Sequence, residues 1–134
     1  MKKFLIVLFL SNLITSFAPT NLSEFLVSEG INNYTDYTLT LSRSSGSEKV
    51  IAFAGKIDDL PTNSLYEILL STGQYKLIST FGDVPEARYQ HCAVIVSGYK
   101  LYIYGGLNSN DTILNDLWLY DSIGISWSKL GSSS

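Results

Sequence analysis

The sequence predicts an all-β chain built from two successive four-stranded antiparallel sheets. Three observations carry this. No amphipathic helical stripe of useful length occurs after residue 30, short runs of β-branched and aromatic residues recur between Gly, Asn, Asp, Ser and Pro, and those runs fall into two sets of four. With 134 residues and 46% hydrophobic content, the chain has the bulk for a modest core that removes about two-thirds of its unfolded surface from water.

The first residues stand apart from the fold. Lys2 and Lys3 form a basic start, residues 4–10 an apolar run that weakens through Ser11 and Asn12, and residues 15–18 a small-residue end. That order is that of a secretory signal peptide over residues 1–18. Its apolar run is well short of the roughly 20 residues that cross a bilayer, so the expectation is secretion, with an uncleaved N-terminal anchor as the alternative. Ser16 and Ala18 give the small-x-small spacing, but Pro19 would follow the cut, which leaves the cleavage point open by a few residues. Residues 19–35 are expected to contribute a strand to a neighbouring unit. The first unit, residues 36–80, has strands expected at 37–41, 50–54, 65–70 and 75–79. The second, residues 86–130, has them at 92–96, 101–104, 117–120 and 126–130.

The two units repeat. Val50-Ile51-Ala52-Phe53-Ala54-Gly55 aligns with Leu101-Tyr102-Ile103-Tyr104-Gly105-Gly106 at an offset of 51. At an offset of 52, Asn63-Ser64-Leu65-Tyr66 meets Asn115-Asp116-Leu117-Trp118, and Tyr75 meets Trp127. A period near 50 with four strands per unit is that of a propeller blade. The second unit carries Arg88-Tyr89-Gln90-His91, the apolar run 92–96, Gly105-Gly106, Asn115-Asp116-Leu117-Trp118-Leu119-Tyr120-Asp121 and Trp127. In full and in order, these residues resemble the kelch motif. The first unit is similar but degenerate, with Ala54-Gly55 in place of the double glycine, Tyr75 in place of the Trp, and no matching Arg and His.

The resemblance, over roughly two-thirds of the chain, implies kelch-type β-propeller blades in an incomplete propeller. Kelch propellers close with about five to seven blades, and two are expected here. Their outer faces would expose apolar strands, to be covered by further blades of a longer chain, by self-association, or by another protein; truncation of a longer propeller is the expected case.

Individual residues follow from this architecture. The runs 92–96 and 101–104 do not alternate with polar residues, so both are expected as central strands covered on both faces, with Cys92 buried as a small hydrophobe. Gly105 and Gly106 are expected where the backbone leaves the sheet at positive φ. Asn115 and Asp116 are expected to punctuate the loop by bonding local backbone N–H groups. Trp118, Tyr120 and Trp127 supply large rigid areas that glue blade to blade. In kelch proteins the pair matching Arg88 and His91 is structural, its polar heads bonded to backbone of the same or the next blade.

No catalytic constellation emerges. One His and one Cys, adjacent at 91 and 92, project to opposite faces of a strand and make no metal set. No Gly-x-Ser-x-Gly elbow is present, Gly55-Lys56 lacks the rest of a phosphate loop, and Asp58-Asp59 reads as a solvated turn. No cofactor is expected. The net charge of -3 becomes -5 once Lys2 and Lys3 are removed, which argues against nucleic acid. Sequons at Asn21, Asn33 and Asn110 permit N-glycosylation without demonstrating it. The expected function is a secreted, non-catalytic scaffold that meets a protein or glycan through loops 56–62 and 107–114. The alternative is the N-terminal part of a kelch-fold enzyme resembling galactose oxidase, a copper radical oxidase whose two His and two Tyr would lie in absent blades.

Overall fold

The computed structural model describes residues 34–44 and 46–132. Within them the chain is all-β, in two antiparallel sheets that are not closed into a propeller. The first holds β1 (Tyr34–Thr35), β2 (Thr38–Ser44), β3 (Ser47–Ile57), β4 (Leu60–Leu69) and β5 (Tyr75–Leu77). Strands β1 and β2 pair in succession along the same side of β3, Tyr34 opposite Ile57 and Thr38 opposite Phe53. They act as one interrupted outer strand, and the sheet is four strands wide. The second sheet runs in order through β6 (Cys92–Val96), β7 (Lys100–Tyr104), β8 (Asp116–Asp121) and β9 (Ser126–Ser132). Each of the eight expected strands is found. Residues 1–18, and the 19–35 segment up to residue 33, lie outside the described residues; Tyr34 and Thr35 pair within the first sheet.

Turn chemistry sets the registers. Asp58 and Asp59 both sit at positive φ, 49° and 63°, the mirror-type turn whose twist matches a two-residue hairpin. Segment 56–62, expected as a loop, is therefore mostly strand: pairing runs to Ile57 opposite Leu60, and only the two aspartates turn. At the other end of the second sheet, the Asp121 carboxylate accepts hydrogen bonds from the N–H groups of Ile123 (2.9 Å) and Gly124 (3.1 Å), fixing the β8–β9 turn.

The core lies between the sheets. Ile51, Phe53, Ala54 and Leu65 of the first pack on Leu101, Ile103, Trp118, Tyr120 and Trp127 of the second, all buried. The Phe53 and Trp127 rings are 4.8 Å apart between centroids and the Tyr120 and Trp127 rings 5.2 Å, distances typical of stabilising aromatic pairs. The β3 run is buried on both faces: Val50 also packs with Ile68 and Leu70 on the side away from the second sheet.

The second sheet departs from expectation. Strand β6 is an edge strand, and on its outer face Cys92, Val94 and Val96 are exposed, with Tyr104 beside them on β7. An unbroken apolar run thus marks a strand whose second face finds no cover among the described residues, not a central strand. Cys92 is likewise not a buried thiol. In the folded protein it is expected to react with an aromatic disulfide reagent at a rate near that of the denatured chain, measured by thiolate release; protection by orders of magnitude until denaturant is added would contradict this.

Candidate functional site: the loop end of the two sheets

Four backbone and side-chain links gather one end of both sheets around Arg88. The Gly55 N–H donates to the Arg88 carbonyl (2.8 Å) and the Arg88 N–H to the Thr62 carbonyl (3.1 Å). The fully buried guanidinium donates from Nη1 to the Gly105 carbonyl (3.0 Å) and from Nε to the Glu86 carbonyl (3.0 Å). Its two terminal nitrogens also grip Asp116, Nη1 to Oδ1 at 2.6 Å and Nη2 to Oδ2 at 2.9 Å. Only a planar fork of donors makes this bidentate contact.

Asp116 is accordingly more than loop punctuation. Its carboxylate takes the Arg88 fork and the Trp118 Nε1–H (2.7 Å), so one residue ties the linker before β6 to an indole of the core. Burial alone would raise its pKa, but the bonds from Arg88 and Trp118 and the Arg88 charge outweigh that and hold it below the usual range. Asn115, the other half of the expected pair, is exposed.

His91 is buried, and its ring meets Phe53 edge-on at 5.4 Å. Its Nε2 lies 2.8 Å from the Thr38 hydroxyl. The partner is thus a side chain of the first sheet rather than backbone. Burial first, and the Arg88 charge second, push its pKa down from 6.5 to about 4. A histidine neutral in the folded state and protonated in the unfolded one lets the unfolded chain bind more protons between those values. Stability contributed by the neutral ring is complete above pH 6.5 and is lost as pH falls toward 4, on the order of 3 kcal/mol in all. Urea midpoints measured from pH 7 to pH 4 should show this fall, and His91→Gln should flatten it; an unchanged slope in the variant would assign the pH dependence elsewhere.

Gly105 and Gly106 occupy positive φ, 68° and 101°. A Cβ on Gly106 would stand 2.7 Å from the Tyr89 carbonyl oxygen and 3.1 Å from the His91 Cβ, so the motif glycine lets the strand exit close over the Arg88–His91 segment. In the first sheet Ala54 and Gly55 take 54° and 97°, the same path with an alanine accommodated at the first position. Gly106→Ala is expected to cost about 2 kcal/mol or more, read from the denaturation midpoint; a loss under about half that would show that Tyr89 yields easily.

Beyond the buried framework lie the β3–β4 hairpin tip and the 107–114 loop. The Lys56 ammonium sits 3.8 Å from the Tyr89 ring centroid, while the Tyr89 hydroxyl donates to Asp111 and Asn108 Nδ2 donates to Glu86 Oε1 (3.0 Å). Leu60 at the hairpin and Ile113 in the loop are about 70% exposed. Lys56, Tyr89 and Asp111 were not evident as a group in the sequence, because three separate segments supply them. Tyr89 beside Arg88 was the one available hint. Asp121, by contrast, lies at the opposite end of the sheet, and Asn21 and Asn33 lie outside the described residues.

Among the described residues no group of three or more His, Cys, Asp or Glu side chains is placed to hold a metal, and no helix is long and apolar enough to cross a membrane.

Comparison with known proteins agrees with this geometry. Three relatives illustrate the similarity: the tip elongation aberrant protein 1 of Schizosaccharomyces pombe, 27% identical over 67% of this chain; mouse Kelch domain-containing protein 1, 29% identical over 61%; and the N-(sulfonatooxy)prop-2-enimidothioate sulfolyase of Thlaspi arvense, 30% identical over 62%. The chain spans only 8%, 20% and 24% of their respective lengths. The family model of the KLHDC2/KLHL20/DRC7 Kelch-repeats domain matches residues 38–134, and so the chain, with its two antiparallel sheets joined through Arg88, His91 and the core aromatics, belongs to that kelch-repeat family.

Proposed function

We propose that this chain is a non-catalytic protein-interaction module of the secretory pathway whose contact surface is the loop end of the two sheets. Kelch repeats suggest a protein-interaction scaffold in general. The observation that supports this particular surface is the combination of a rigid base and exposed contacts. Arg88, Asp116 and His91 are spent on internal bonds, while Leu60 and Ile113 project beside Asp58, Asp59 and Asp111. Exposed apolar anchors rimmed by charge on a preordered base suit a protein partner. Residues 1–18 support entry into the secretory pathway. The apolar outer face of β6 and β7 supports the further reading that additional blades of a longer chain cover it.

Leu60→Asp and Ile113→Asp test the surface. Proximity labelling on cells expressing the full chain should give a reproducible set of neighbours that both variants lose while their unfolding curves match that of the parent. Retention of the same neighbours by the folded variants would place the contact surface elsewhere.

A further inference from the structure

The sequon Asn110-Asp111-Thr112 lies in the long loop between β7 and β8, and the structure shows how that loop holds itself. The Asp111 N–H donates to the Asn108 carbonyl (3.0 Å) and closes a four-residue turn with Asn110 at its third position. Asn108 Oδ1 accepts from the N–H groups of Asn110 (3.0 Å) and Thr112 (3.1 Å), and the Thr112 carbonyl accepts the Asn108 N–H (3.1 Å). The Tyr89 hydroxyl fastens Asp111 to the segment below. Among the described residues, the bonds that order the loop run through Asn108, Asp111 and the backbone, and the exposed side chains of Asn110 and Thr112 are left on the outer corner.

We propose that Asn110 is a competent N-glycosylation site, carrying a glycan whenever the chain enters the secretory pathway. This rests on the secretory reading above. The co-reactant is a lipid-pyrophosphate-linked oligosaccharide. The Asn110 Nδ2 forms a bond to its anomeric carbon, the anomeric C–O bond breaks, the lipid pyrophosphate departs with the electron pair, and the amide gives up one proton; nothing is oxidised or reduced. Three features of the turn suit the product. The acceptor stands at a turn corner, its side chain supports no part of the loop, and a bulky, strongly hydrated substituent there points away from the core.

The test expresses the full chain in cultured animal cells, once with its own residues 1–18 and once with an independent signal peptide in their place. The protein is recovered from both cells and medium, and peptides bearing Asn110 are analysed by mass before and after peptide-N-glycosidase treatment. Behind the independent signal, the Asn110 peptide should carry a glycan that Asn110→Gln and Thr112→Ala abolish and Thr112→Ser retains. An unmodified Asn110 peptide in that arm overturns the proposal, whatever the other sequons carry. Modification behind the independent signal but not behind the chain's own leader upholds the site and defeats the secretory reading instead.

Discussion

Arg88→Ala is expected to lower the free energy of unfolding by about 3–5 kcal/mol, the range found when one partner of a buried ion pair is removed. The guanidinium is fully buried and serves three acceptors at once: the Asp116 carboxylate and the carbonyls of Gly105 and Glu86. Truncation leaves the half-buried Asp116 without its counter-charge and the Gly105 carbonyl without the donor of a buried hydrogen bond, whereas the carbonyl of exposed Glu86 can turn to water. Since small domains hold about 5–15 kcal/mol in total, this is a large fraction of the stability, and it should appear as a clear fall in the thermal and urea midpoints. Arg88→Lys should recover only part of the loss, because an ammonium cannot make the bidentate contact. Asp116→Asn, which keeps the shape but not the charge, should fall between them. A change below about 1 kcal/mol on Arg88→Ala would mean that water replaces the side chain, and that the gathering of both sheets around it is incidental.

Trp127→Ala should cost a similar amount, about 3–5 kcal/mol, for a different reason. The indole is 5% exposed and packs between Phe53 of one sheet and Tyr120 of the other, so truncation opens a void where the two sheets meet. The cost combines lost apolar burial with a cavity that a rigid pair of sheets cannot close. Phenylalanine refills part of the volume, and Trp127→Phe should retain more than half of the stability. The two variants also differ in their pH response. Arg88→Ala removes the nearby cation that helps depress the His91 pKa and should shift the acid limb of stability, whereas Trp127→Ala should move the curve downward with little change in slope. Equal slopes in the two variants would assign the acid limb to groups other than His91.

The strands and their order were legible because each is a short apolar run between turn formers, and a four-strand unit repeated at about 50 residues has few ways to fold. The motif glycines were legible for an equally local reason: positive φ at a strand exit narrows the residue choice to glycine, and Ala54 at 54° shows how nearly the degenerate unit keeps the same path. For segment 56–62 the local sequence points to a loop, because two adjacent aspartates suggest solvent, whereas the structure makes it mostly strand. Whether they begin a long excursion or close a two-residue hairpin depends on pairing that extends to Ile57 and Leu60.

Burial on the second sheet could not be read in the same way. The run Cys92-Ala93-Val94-Ile95-Val96 is apolar on both faces, and such a pattern reports what a strand can tolerate, not what covers it. Only the packing shows Ala93 and Ile95 against the core and Cys92, Val94 and Val96 turned outward. The partners of the polar residues are decided in the same way. Arg88 with Asp116, His91 with Thr38, and Tyr89 with both Lys56 and Asp111 are separated by 22 to 53 residues along the chain where hydrogen-bonded. Local sequence by itself determined the strands, the repeat and the strand exits, since those depend on backbone preference and periodicity. The tertiary structure alone decided which charges neutralise one another and which apolar face remains open, because both depend on how one sheet is laid against the other.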